Sequence, residues 1–283
     1  MQPARLGLGT GSVDVNVNRE QYTPQGWKEG YNPTGPSDKT VWVLKFETTS
    51  GTPIAVLFNY AVHSVVTMRE DRLGGDLAGA AEDYVERHFG DKVVALWTLG
   101  SAGDQVPRFT GSQSRPAPAG SVPAPVKGQG PSSYDAMTAQ GLMIGAEVVR
   151  VANQVQLNIS AAKIGADERV ISCPLREGID KLSTFHPTPT GSVPIRLGVI
   201  VIGDIAFATV SGEVATTIYW RLRKASPLTK TILVTLTNDR TGYFVDDAAY
   251  ATSNFEVLAS PAARGCAEDG IVNGLVDMIN KYR

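Results

Sequence analysis

Apolar and polar positions alternate over residues 6–17, with Val13, Val15 and Val17 on one side and Asp14 and Asn16 on the other. A period of two predicts a half-buried strand. Residues 40–47 and 54–66 read as two more strands around the turn Ser50-Gly51-Thr52-Pro53; the second is apolar on both faces, as in the middle of a sheet. Residues 21–39 are rich in Gly, Pro, Asn and Ser and read as a long loop. Gly75-Asp76 opens a helix to about His88, with Asp76 as N-cap and Gly90 beyond its end. A buried strand at 93–98 then runs into a Gly-rich exit loop at 99–104.

Farther on, the pattern predicts a long helix at 134–156 and strands at 170–174, 195–202, 205–210 and 231–236. Helices are expected at 213–224 and 262–281. Strand and helix alternate without a break, which predicts an α/β fold: one catalytic domain over 1–283, a single mixed sheet with helices packed around it. Residues 109–133, dominated by Pro, Gly, Ser and Ala, read as a flexible surface insertion.

Composition narrows the functional classes. The 283 residues are 42% apolar and 19% charged with a formal net charge of -2, enough for a sizeable core and without a basic surface for nucleic acid. No apolar run approaches the ~20 residues of a spanning helix. Cys173 and Cys266 form no disulfide framework by spacing; they either pair or stand as two buried thiols, the second being the commoner case for free cysteine. Met1 is followed by Gln2, Pro3, Ala4 and Arg5 and then by strand pattern, so no signal peptide is visible and the chain reads as starting inside a domain; a native cytoplasmic start is the alternative.

Few residues have the chemistry for catalysis. His63 ends the apolar run Phe58-Asn59-Tyr60-Ala61-Val62, where neutral imidazole suits a metal, or serves as a core histidine bonded to a carbonyl. His88 fits a helix C-terminus, and His186 carries no spacing signal. Glu213 follows Ser211-Gly212 at a strand-to-helix turn, as a ligand, a base or a plain N-terminal helix charge. Tyr243, after Asn238-Asp239-Arg240-Thr241-Gly242, is a loop tyrosine of the kind that ordinarily packs. Gly100-Ser101-Ala102-Gly103-Asp104 resembles an anion-cradling loop, but Gly-rich exit loops are common.

In order, these pieces resemble the neutral/alkaline ceramidases: Asn18-Arg19, the His63 strand, the helix opened by Asp76, Gly103-Asp104 before Pro107, Gly212-Glu213, and Asn238…Gly242-Tyr243. The resemblance implies a Zn2+ site in which His63, Glu213 and Tyr243 are ligands. A further histidine would come from a His-Thr-His type segment, and the lack of one makes the catalytic domain read as N-terminally incomplete. Arg19, Gly103 and Asp104 would orient the substrate, and zinc-activated water would cleave an N-acyl amide. The implied partner is a lipid-like small molecule, met through peripheral membrane contact, in an extracellular or periplasmic setting. Two positions depart from the family. Val106 stands where the family's Gly-Asp-x-Ser-Pro motif keeps a serine, and Phe255 where a second tyrosine is expected. The alternatives are a zinc hydrolase of another amide or ester, and a non-catalytic relative that binds lipid or glycan.

Overall fold

The computed structural model describes residues 3–67, 73–109, 132–177 and 191–283. In chain order the elements are β1 (Ala4–Ser12), β2 (Asn16–Thr23), β3 (Gly26–Asn32), β4 (Thr40–Thr48), β5 (Pro53–Tyr60), α1 (Asp76–His88), β6 (Val94–Leu99), β7 (Gln105–Pro107) and α2 (Ser133–Gln154). They continue as β8 (Ile164–Pro174), β9 (Ser192–Ile202), β10 (Ile205–Val210), β11 (Glu213–Val214), α3 (Thr216–Ala225), β12 (Lys230–Val234), β13 (Tyr243–Phe244), α4 (Phe255–Ala259) and α5 (Ala267–Asn280). The mixed α/β class is as the sequence predicts. The single sheet is not: the strands form several sheets. The described residues make two compact units, one from Met1–Val17, Asp38–Thr98 and Val106–Ala161, the other from Asn18–Ser37, Leu99–Gln105 and Ala162–Arg283.

The first unit carries a sheet of order β1-β4-β5-β6 with antiparallel β1/β4 and β4/β5 pairs. Its core joins Val41, Val43, Val56 and Phe58 of the sheet to Leu77, Ala81 and Val85 of α1 and Ile144 and Val148 of α2. Two glycines allow close packing. A Cβ on Gly7 of β1 would fall 2.2 Å from the Gln156 carbonyl oxygen, and one on Gly141 of α2 would fall 2.5 Å from Ala80 of α1. Ser132 and Asp135 form a reciprocal capping box that starts α2. Acidic side chains of α1 close the sheet edge: Trp97 N–H donates to Glu82 at 2.7 Å and Ala95 N–H to Glu86 at 3.0 Å. Those N–H groups would otherwise be open for pairing with another chain.

The second unit has a four-stranded sheet of order β12-β10-β9-β8, in which β10 runs parallel to β12 and antiparallel to β9. One face packs on α3 and α5 through Ile195, Leu197, Ala208, Ile218, Leu222, Leu275 and Met278. Cys173 at the end of β8 and Cys266, the residue before α5, form a disulfide with Cα atoms 5.7 Å apart. The pairing reading of the two cysteines is therefore the one found.

Four other expectations change. Residues 21–39 include an antiparallel β2–β3 hairpin, turned at Gly26 (φ +104°) with Tyr22 and Trp27 edge to face at 5.3 Å. Its polar composition hid it, because neither strand alternates in hydrophobicity. The strand expected to reach Val66 stops at Tyr60. Asp76 is not the N-cap of α1, which is Gly75; the Asp76 carboxylate instead accepts from Val66 N–H at 3.0 Å and Thr67 N–H at 2.6 Å. The helix expected from Glu213 starts at Thr216, because Glu213 and Val214 are held in β11. Residues 110–131 of the expected insertion lie outside the described residues, and Ser133, its last residue, opens α2.

Candidate functional site

Glu213 and Tyr243 each follow a glycine, and the structure explains why. Short strands β11 and β13 pair in parallel, Glu213 with Tyr243 and Val214 with Phe244. Glu213 N–H donates to the Gly242 carbonyl at 2.8 Å and Ala215 N–H to that of Phe244 at 2.9 Å. A Cβ on Gly212 would sit 2.4 Å from the Phe244 ring and 2.6 Å from the Gly242 oxygen, and Gly242 has φ +120°. Only glycine allows this approach, and it brings the next two side chains side by side. The Tyr243 hydroxyl is pushed up to about 12, chiefly by burial and further by Glu213, while Arg19 pulls the other way. It is a neutral phenol at physiological pH.

Arg19 reaches the same place from β2. The β2–β3 ladder shifts register between Asn18 and Glu20, which takes Arg19 out of the ladder. Its N–H donates to the Asp104 carbonyl at 2.9 Å. The side chain is 6% exposed; Nε donates to Glu256 at 2.5 Å, one terminal nitrogen to Glu29 at 3.2 Å and the other to the Gly103 carbonyl at 3.0 Å. The guanidinium lies 5.4 Å from the Tyr243 ring centroid and 5.2 Å from that of Phe255, and these two rings meet edge to face at 5.5 Å. Burial disfavours its charge, yet Glu256, then Tyr243 and Glu29, outweigh burial and raise its pKa.

Asp104 is also buried. One carboxylate oxygen accepts from Thr216 N–H at 3.0 Å and Thr216 Oγ1 at 2.8 Å, and the other from Asn18 Nδ2 at 3.0 Å. The α3 N-cap, Ala215, has no side-chain acceptor, so Asp104 supplies one from the exit loop. Burial pushes its carboxyl up to about 6 against the pull of hydrogen bonds from Gln105 and Thr216. Gly103 donates its N–H to the Val214 carbonyl at 3.0 Å, and a Cβ there would lie 2.9 Å from the Val214 backbone. Ser101 Oγ in the same loop is buried and has no hydrogen-bond partner among the described residues.

Half-buried Glu20 accepts from Asn254 Nδ2 at 2.5 Å. Burial, then Asp104, Glu256 and Asp246, push its carboxyl up to about 8, with Arg19 opposing. At neutral pH it is largely protonated.

The structure thus brings together Arg19, Gly103, Asp104, Glu213 and Tyr243, all in the second unit. His63 belongs to the first unit, half-buried in the coil after β5. Val106 is half-buried in β7. Among the described residues, no group of three or more His, Cys, Asp or Glu side chains is arranged as a metal cluster. Glu213 and Tyr243 nonetheless fit a zinc ion by donor type, a carboxylate and a phenol facing one another.

Compared as a fold, the whole chain superposes on a structure described as a ceramidase complexed with C2, at TM-score 0.74 and 16% identity. A crystal structure of neutral ceramidase from Pseudomonas aeruginosa matches 98% of the chain at TM-score 0.72 and 16% identity. The chain has the fold of the neutral ceramidases. It spans about half the length of these structures, 54% and 52%. No family model and no curated protein matches the sequence.

Sequence reasoning missed Glu256, Glu20 and Asn254. Asn254 had a local signal, since it caps α4 by accepting from Val257 N–H at 2.9 Å, the pattern of Asn before a short helix. Glu256 had none, because the cation that makes its burial tolerable is 237 residues away.

Proposed function

We propose that this chain is the core of a zinc-dependent amide hydrolase of ceramidase type, cleaving the N-acyl amide of a ceramide-like lipid into a fatty acid and a sphingoid base. The observation that carries the reading is the Glu213–Tyr243 pair, built by two obligatory glycines inside a ceramidase fold that matches over the whole chain. His63, Glu213 and Tyr243 would hold the metal. Bound zinc supplies an acidified water and a polarised amide carbonyl, chemistry that needs no serine at Val106. The exit loop meets the strand that carries Glu213, where Gly103 N–H donates to the Val214 carbonyl. Phe255, 41% exposed beside Tyr243, offers apolar surface to an acyl chain. The disulfide supports an extracellular or periplasmic setting, where such bonds persist. No helix among the described residues is long and apolar enough to cross a membrane.

The test is fatty-acid release from short- and long-chain N-acyl sphingoid substrates, with and without chelator. The reading expects turnover that chelator and Glu213→Ala each abolish. Turnover that survives both would overturn it. Val106 favours a second reading, a relative that binds lipid or glycan without catalysis. Saturable binding of N-acyl lipid by zinc-loaded protein, with no release of fatty acid, would select that reading.

A further inference from the structure

The group around Arg19 contains more structure than substrate binding requires. A guanidinium has five N–H donors in a fixed fork. In this chain the fork is directed into the protein: Nε to Glu256, one terminal nitrogen to Glu29, the other to the Gly103 carbonyl. A further interaction joins it to the Tyr243 side chain. Glu256 is 1% exposed on α4, so neither partner of the closest ion pair reaches solvent. The next residue toward the N-terminus, Phe255, closes the other side, its ring 5.2 Å from the Arg19 guanidinium and edge to face with Tyr243. A buried carboxylate that meets a buried guanidinium is costly unless each neutralises the other, so the pair holds position strongly.

We infer that Arg19 and Glu256 are positioning residues, a buried ion-pair clamp that fixes the Tyr243 ring and the Gly103 carbonyl. The clamp joins four segments of the second unit: the β2–β3 hairpin through Arg19 and Glu29, the exit loop through Gly103, the β13 strand through Tyr243, and α4 through Phe255 and Glu256. Lysine cannot replace arginine here, because a single ammonium cannot reproduce a fork that meets two carboxylates and a carbonyl and lies against two rings. The inference deepens the functional reading at one point, the placement of Tyr243, and stands apart from it elsewhere.

The experiment is NMR of the protein carrying ring-13C-labelled tyrosine, with the Tyr243 signal assigned by its loss in Tyr243→Phe. Phe255 lies edge to face with Tyr243, so Phe255→Leu should move that signal and calibrate its sensitivity to the clamp. Glu256→Gln and Arg19→Lys should each move or broaden it, while the signals of the other tyrosines among the nine stay in place. A Tyr243 signal that is unmoved in Arg19→Lys and Glu256→Gln but moved by Phe255→Leu would overturn the inference. Arg19→Lys retains the charge and carries the test if Glu256→Gln fails to fold. Zinc titration of the same variants separates the two readings. A 10–100-fold loss of zinc affinity in Glu256→Gln supports the clamp acting on a metal ligand. A shifted Tyr243 signal with unchanged zinc affinity upholds the clamp and removes Tyr243 from the ligand set.

Discussion

In the first unit, the carboxylates of Glu82 and Glu86 accept from strand N–H groups, and the buried Tyr60 hydroxyl donates to the Val13 carbonyl at 2.7 Å. In the second unit, buried Arg19 faces Glu256, and Asp104 faces Asn18 and Thr216. Polar side chains in the first case finish backbone that the sheet leaves unpaired. In the second they satisfy backbone too, but they also face other side chains drawn from distant parts of the chain. Satisfying a backbone group needs only local geometry. Holding charges against one another in low dielectric needs several segments in register, and such arrangements concentrate at functional sites. The second network is therefore the candidate site, and the first network is the frame of its own sheet.

The largest expected effect breaks the second network. Glu256→Met removes the buried counter-charge of Arg19, leaving only half-exposed Glu29, and should cost about 3 kcal/mol, while the double variant Arg19→Met/Glu256→Met should regain much of that loss. Chemical denaturation of the four proteins in the cycle measures the coupling. Additive losses would show that the two side chains do not act as a pair.

How far the sequence reveals each network follows from the same distinction. Strands β4, β5, β9 and β10 are legible because hydrophobic pattern is a local signal, and most bounds fall within a few residues of those expected. Gly212-Glu213 and Gly242-Tyr243 are legible as motifs, although nothing local shows that they pair in parallel across thirty residues. The β2–β3 hairpin is not legible, since neither strand alternates in hydrophobicity. Glu256 is the extreme case: its burial depends on a cation at the other end of the chain. Cys173 and Cys266, 93 residues apart, likewise give no local sign of pairing.

The next effect is a pH dependence. Burial raises the folded-state pKa of Glu20 from 4.5 to about 8, so the folded protein holds a proton that the unfolded chain releases. Stability from this group is therefore full below about 4.5 and falls as pH rises toward 8. Glu20→Gln keeps an acceptor for Asn254 and removes the titration. It should flatten that decline and stabilise the protein by ~2 kcal/mol at pH 9, after allowance for solvent screening. Melting curves of both proteins from pH 4 to 9 provide the check; parallel profiles would contradict the assignment.

A smaller effect belongs to the first network. Glu82→Ala removes the acceptor of the Trp97 N–H and should cost about 1 kcal/mol, with no loss of zinc binding. A loss near that of Glu256→Met would erase the contrast between the two units. Smallest of all is Ser101→Ala. It removes a buried hydroxyl that has no hydrogen-bond partner among the described residues, so the melting temperature should hold or rise slightly. A clear drop would mean that Ser101 has a partner in solution.

The proposed zinc ligands are Glu213, Tyr243 and His63. Calorimetric titration of metal-free protein with zinc tests that set most directly, comparing the unaltered chain with Glu213→Ala, Tyr243→Phe and His63→Ala. The account predicts one zinc per chain and at least a tenfold weaker affinity in each variant. Equal affinity in all four proteins, or no binding in any, would contradict it.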